Sequence, residues 1–362
     1  GYLLFNYYML FEQGLVFNIL FVSLGIILNF ILAIVVNYFL ETRQKNMIKG
    51  KFASKVSPAV MEDILKHEGG NGVMAGMSRE VTVFFSDVRG FTNISEASPD
   101  PKTLIEFLNE YMDPMTDIVI EQEGTVDKFI GDAIMAYWNA PIDVEGHPDK
   151  AVIASLQQLH ALRALNVKLK ADERFKDVVQ MSEENGVEPV DIGIGLNTGI
   201  AIVGEMGSSG RSDYTVIGDP INLGARLESL CKFYNSKLNI SNFTKEKLTG
   251  DYIYRFLDLV TVKGKKEPIE IWQIHDYDNQ KEETLYEVSR QQLDKELDLY
   301  HHAIKLYKAS NFEEALSIFK DINSWENKTN KNVYDMYIER CVHYIEVPPE
   351  NFNGVFAHTT KG

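Results

Sequence analysis

Val81-Thr-Val-Phe-Phe-Ser-Asp-Val-Arg-Gly-Phe-Thr92 is the stretch from which the rest of the chain can be read. Its first seven residues are rich in β-branched and aromatic types and read as a buried strand. The strand ends on a carboxylate, Asp87, and Gly90 lets the backbone turn sharply just beyond it. Alone, an Asp in this position serves as a turn or helix-cap residue. Two further stretches, Lys128 to Trp138 and Thr215 to Arg226, add a second carboxylate and polar groups suited to a nucleotide.

With 362 residues, 45% of them hydrophobic, the chain is long enough for more than one domain with a sizeable core. Its 36 basic and 52 acidic residues give a net charge of -16. A phosphate backbone wants a basic face and none is apparent, so nucleic acid is excluded as a partner. The two cysteines, Cys231 and Cys341, are far apart in helical-looking segments, which rules out a disulfide framework or a zinc knuckle.

Leu15 to Leu40 holds no charged residue and is long enough to cross a bilayer core of about 30 Å as a helix. Residues 1–40 are therefore expected to be transmembrane, with the apolar but short Gly1–Phe11 the end of an earlier span. Arg43, Lys45, Lys49, Lys51 and Lys55 follow directly, an excess of positive charge that places the next segment on the cytoplasmic side of the membrane. Across residues 41–77, Phe52, Val56, Val60 and Ile64 recur at helical spacing, with Ser57 and Pro58 as a start signal. The pattern fits a juxtamembrane coupling helix or a passive spacer equally well.

Residues 78–280 alternate in pattern. Helices are expected at Pro101–Glu121, Lys150–Lys170 and Asp219–Tyr234, and strands at Thr125–Ile130, Ala133–Trp138, Tyr254–Val262 and Ile269–Ile274. Asn197-Thr-Gly199, between Ile192–Leu196 and Ile200–Glu205, carries a hairpin signal. Helices mixed with hairpin and crossover connections predict an α+β sandwich on one sheet, of the split βαβ (ferredoxin-like) kind. In residues 281–362, Ala303, Leu306, Tyr307, Phe312, Ala315 and Phe319 form a helix-turn-helix pattern like one tetratricopeptide repeat. One repeat cannot bury its own face, so it is expected to pack on the body, on a following helix near Val333–Ile345, or on a second chain. The end, after Pro348-Pro349, is expected to be loosely held.

Asp132, in Lys128-Phe-Ile-Gly-Asp132, fits a tight strand-to-strand turn that also brings it to the sheet end where Asp87 emerges. Two aspartates without His or Cys nearby suit hard cations that prefer oxygen, Mg²⁺ or Mn²⁺, and paired ions of this kind promote displacement at phosphorus. Asn222 and Arg226 lie four apart on one helix face, where an amide and a guanidinium can stabilise charge on phosphoryl oxygens. The same spacing also describes an ordinary exposed helix face. No P-loop is present, and Gly193-Ile-Gly-Leu-Asn-Thr-Gly199 has the wrong spacing for a dinucleotide fingerprint.

Phe84-Phe-Ser-Asp-Val-Arg-Gly-Phe-Thr92, Lys128-Phe-Ile-Gly-Asp-Ala133 and Thr215-Val-Ile-Gly-Asp-Pro-Ile-Asn-Leu-Gly-Ala-Arg226 together resemble the three core blocks of the class III nucleotidyl cyclases. The resemblance implies a homodimer with sites at the subunit interface, two metal ions per site, and conversion of a nucleoside triphosphate to its cyclic monophosphate and pyrophosphate. By position it implies Asp87 and Asp132, with the Val88 carbonyl, as metal ligands. Lys128 and Thr215 match the base-reading pair, Asn222 and Arg226 the transition-state pair, and Lys265 the triphosphate-binding lysine. Guanylate cyclases of the family carry Glu and Cys at the base-reading positions, so ATP is the implied substrate. Thr215 departs from the usual Asp and is similar to a subgroup some of whose members respond to bicarbonate. Lys49 to Val60 resembles the junction in bacterial cyclases that carry an extracytoplasmic sensor domain ahead of their membrane helices. The alternatives to a membrane-anchored adenylate cyclase are a guanylate cyclase and a catalytically silent, nucleotide-binding dimerisation module.

Overall fold

A computed structural model describes residues 1–13, 19–52, 61, 76–208, 211–261, 268–278, 285, 288–350 and 352–357. Helix α1 (Tyr2–Gln13) is followed by α2 (Ile19–Phe52). Within α2, the most apolar 18-residue window of Val22–Met47 has a mean hydropathy of 2.2 with none of it buried, and among the described residues no other helix is long and apolar enough to cross a membrane. The junction residues Ser57, Pro58, Val56, Val60 and Ile64 lie outside the described residues, and so does Lys265.

The body is one mixed sheet with helices on both faces. Its elements are β1 (Met77–Val88), α3 (Phe91–Ala97), α4 (Pro101–Glu121), β2 (Thr125–Ile130), β3 (Ala133–Trp138), α5 (His147–Lys170), α6 (Lys176–Glu184), β4 (Ile192–Ser208), β5 (Arg211–Ile217), α7 (Asp219–Tyr234), β6 (Leu238–Ser241), α8 (Asn242–Lys245), β7 (Tyr252–Thr261) and β8 (Ile269–Tyr277). The first four strands lie in the order β2-β3-β1-β4, all antiparallel to their neighbours, which is the split βαβ arrangement. The sheet continues through β6, β8 and β7, and β5 pairs with the far end of β4.

Side chains alternate along β1. Phe84 faces a core built with α4 and α5 (Tyr111, Met115, Val152, Leu156), while Val83 and Phe85 face the side covered by α7. That helix lies directly on the sheet because glycines meet across the contact. A Cβ at Gly195 would come within 2.2 Å of the Glu228 nitrogen, and one at Gly224 within 2.7 Å of Val83 Cγ2.

Asn197-Thr-Gly199 does not turn: β4 runs unbroken through it. The polar side chains that suggest a turn are satisfied across the sheet instead. Asn197 donates to the Pro220 carbonyl at 2.9 Å and accepts from Ser241, and the Thr198 hydroxyl is 2.9 Å from that of Thr82. Gly199 makes room for Pro220 at the start of α7.

Three helices follow, α9 (Arg290–Lys308), α10 (Phe312–Ser324) and α11 (Lys331–Glu346). Tyr300, Tyr307, Phe319, Tyr334 and Tyr337 form one core with Leu223, Leu227 and Tyr234 of α7 and Phe256 and Leu257 of β7, so the helices pack on the body and on one another. Two buried ion pairs cross this contact, Arg255 with Glu296 at 3.0 Å and Arg340 with Asp258 at 2.7 Å. Beyond Pro348-Pro349, Phe356–Ala357 (β9) pair with Val260 and Thr261 of β7.

Candidate active site

Asp87 reaches the site because β1 ends there. The backbone turns at Gly90, whose φ of 68° suits glycine, before α3 begins. Gly131, with φ 67°, makes the β2–β3 turn that delivers Asp132 to the same sheet end. The Val88 amide donates to Asp132 Oδ2 at 3.3 Å. Burial, then the charge of Asp132 and a hydrogen bond between the two carboxyl groups, raise Asp87 from 3.8 to about 6. The cavity here, about 520 Å³, is lined by Asp87, Val88, Gly90, Phe91, Asp132 and the Glu228 side of α7.

Glu228 is a carboxylate that the motifs did not single out. It sits two residues beyond Arg226, and burial followed by the charge of Asp87 lifts it to about 7. Cys231 lines the same cavity, but burial pushes its thiol up to about 12, and it donates to the Ile194 carbonyl at 3.3 Å, so it supplies no thiolate.

This donor set fits hard divalent cations. Burial, and then the facing Asp132 carboxylate, raise the proton affinity of Asp87, an effect that a cation between them would reverse, and among the described residues lining the cavity no soft ligand competes. Among the described residues no group of three or more His, Cys, Asp or Glu is placed to hold a metal. An ion bound by two carboxylates takes its remaining ligands from water and substrate phosphates, the usual arrangement for Mg²⁺.

The other expected site residues are not brought to this cavity. Asn222 and Arg226 on α7 and Lys128 on β2 are exposed, Thr215 on β5 is buried, and none of the four lines the cavity. Lys128 and Thr215 do meet each other, through Asp127. The Thr215 hydroxyl donates to Asp127 Oδ2, and Lys128 Nζ lies 3.5 Å from Asp127 Oδ1. Asp127, between Val126 and Lys128 in β2, is buried at 2% exposure, a placement that its charged neighbour in sequence does not signal.

The profile of the adenylate and guanylate cyclase catalytic domain matches residues 73–276, which takes in both carboxylates, the Lys128–Thr215 pair and the α7 motif. The chain belongs to the class III nucleotidyl cyclases. It is 32% identical over 298 residues to the terminal-differentiation-specific adenylate cyclase of Dictyostelium discoideum, covering 81% of this chain and 13% of that protein. To the adenylate cyclase of Anabaena cylindrica it is 33% identical over 233 residues, 64% of this chain and 42% of the relative. The cyclase chain thus spans less than half the length of either. A solved bacterial light-regulated adenylyl cyclase shares its fold, with a TM-score of 0.50 at 23% identity over 73% of this chain and 68% of that one.

Proposed function

We propose that this cyclase is a membrane-anchored adenylate cyclase that converts ATP to cyclic AMP and pyrophosphate in sites shared between two chains. The observation that carries the reading is the division of the site. Asp87 and Asp132 share a cavity, while Lys128, Asn222 and Arg226 stand outside it with exposed side chains, and Thr215 lies buried beside Lys128 against Asp127. A second copy related by a two-fold axis would bring the two sets together and make two equivalent sites. Exposed apolar side chains beside the base-reading pair offer a contact surface: Phe129 and Ile130 on β2, and Ile202 and Ile217, which are cross-strand partners on β4 and β5.

In this reading Lys128 donates to a ring nitrogen of adenine and the Thr215 oxygen accepts from its exocyclic amine. Asp87 and Asp132, with the Val88 carbonyl, would hold two Mg²⁺ or Mn²⁺ ions, and Lys265 would hold the triphosphate. The chemistry such ions supply is activation of the ribose 3′-hydroxyl and neutralisation of charge at the α-phosphate and the leaving pyrophosphate. The Asn222 amide and the Arg226 guanidinium stabilise the charge that grows on the phosphoryl oxygens during in-line attack. The family covers both adenylate and guanylate cyclases, so the choice of ATP rests on Lys128 and Thr215. Helix α2 anchors the unit in the inner membrane with the catalytic domain in the cytoplasm, and α9–α10 form a single tetratricopeptide-like hairpin on the catalytic body.

Shared sites make a test by mixing. Asp87→Ala and Asn222→Ala chains are each expected to be inactive or nearly so. In a mixed dimer one site collects both defects and the other neither, so random pairing restores roughly a quarter of the wild-type activity. No recovery in a verified mixed dimer would refute the shared site.

A further inference from the structure

Asp127 is 2% exposed and touches both residues of the base-reading pair, Lys128 and Thr215. It sits on a β-bulge: Val126 and Lys128 pair with the adjacent residues Ala136 and Met135 of β3, so Asp127 is the extra residue and is turned out of the ladder. Its surroundings are unfavourable for a charge. The phenol of Tyr137 is raised well above its ordinary value by burial and then by the charge of Asp127. A carboxylate held in such a place is costly unless its partners compensate it.

We propose that Asp127 sets the hydrogen-bonding sense of Thr215 and thereby selects a 6-amino over a 6-oxo purine nucleoside triphosphate. The proposal rests on the roles assigned to Lys128 and Thr215 under the adenylate cyclase reading. A hydroxyl has one proton, and an ionised carboxylate only accepts. With the Thr215 proton committed to Asp127 Oδ2, only lone pairs of Thr215 remain for the nucleotide. An exocyclic amine fits that acceptor, whereas a 6-oxo group would meet it lone pair against lone pair. The other carboxylate oxygen faces Lys128, a pure donor suited to a ring nitrogen that accepts. Asp127 is thus a positioning residue that acts through its two neighbours.

Asp127→Asn keeps the shape and reverses the sense. Because the Lys128 ammonium can only donate, the single carbonyl oxygen of the amide stays with Lys128 and the NH₂ turns to Thr215, releasing the hydroxyl proton toward the base. The measurement is kcat/KM of the full chain for ATP and for GTP with Mn²⁺. The ATP-to-GTP ratio is expected to fall by roughly fivefold to a hundredfold in Asp127→Asn, and to fall also in Asp127→Ser, where the hydroxyl is again free to turn. Thr215→Ser should keep the wild-type ratio, and Thr215→Val should lower it. Adding Asp127→Asn to Thr215→Val should lower it no further, since the two act through one hydrogen bond. If Thr215→Val lowers the ratio while both Asp127 variants leave it at wild type, or if the double change is additive, Asp127 is a structural residue and the proposal is overturned with the base-reading pair intact. If Thr215→Val itself leaves the ratio unchanged, the base-reading role is wrong and the proposal falls with it.

Discussion

Arg340→Met is expected to destabilise the catalytic unit from a position in the C-terminal helices. Two Arg340 nitrogens donate to Asp258 at 2.8 and 2.7 Å, and the two side chains are only 7% and 1% exposed. A surface pair in this geometry would contribute less than about 1 kcal/mol. Removing one partner of a buried pair costs about 3 to 5 kcal/mol, because the remaining charge is left without compensation. Tyr234 still donates to Asp258 at 3.0 Å, which places the expectation near the lower end, about 3 kcal/mol. For a unit of this size that corresponds to a fall of roughly 6 to 12 °C in the unfolding midpoint. Combining Arg340→Met with Asp258→Leu removes both charges and should recover most of the loss. Tyr234 closes α7, the helix that carries Asn222 and Arg226, and Asn330 holds its carbonyl at 2.8 Å. The single variant should therefore lose kcat more than it raises KM. The assay is thermal unfolding of the detergent-solubilised chain followed by circular dichroism, with cyclase kinetics alongside. A midpoint shift under about 2 °C, or a double variant no better than the single one, would refute the buried-pair reasoning.

Burial and neighbouring charge hold Asp87 at about 6 and Glu228 at about 7, above their ordinary 3.8 and 4.5, so the folded chain binds these protons more tightly than the unfolded one. The metal-free protein should then lose stability as pH rises from about 4 to 7, with the slope reduced in Asp87→Asn and Mn²⁺ restoring stability at the upper end; an identical slope in the variant would contradict this. Lys128→Glu with Thr215→Cys should weaken ATP use without creating full guanylate cyclase activity, and unaltered ATP turnover would remove both residues from base recognition. Inserting one residue near Lys49 rotates the downstream segment by about 100° relative to the span and should change basal or regulated activity if the junction is a coupling helix, whereas a passive spacer would tolerate it.

Elements whose cues are local were legible. The strands on either side of Gly131-Asp132 are bounded by a turn that needs a positive φ, and Pro101–Glu121 starts where Asp100 accepts from the Lys102 and Thr103 amides. Features that depend on distant partners were not. Asn197-Thr-Gly199 has turn composition, but Pro220 and Ser241 supply its hydrogen bonds from elsewhere in the chain. Asp127 acquires a meaning only once β5 places Thr215 against it, 88 residues on. Glu228 faces the carboxylates only because the glycines of β4 allow α7 to lie against the sheet, a contact between distant segments. The apolar spacing of the C-terminal helices displays their pairing, while their seat, an apolar core shared with α7 and β7 and crossed by the ion pairs of Arg255 and Asp258, joins residues that no local periodicity connects.

Formation of a cyclic nucleotide tests the central claim most directly. The purified chain would be incubated with Mn²⁺ and either ATP or GTP, and the products separated and identified by mass. Cyclic AMP and pyrophosphate from ATP in equal amounts, with kcat/KM for ATP at least about tenfold above that for GTP, is the predicted result. Cyclic GMP as the preferred product would contradict the base assignment, and no cyclic product from either nucleotide would contradict the enzyme itself.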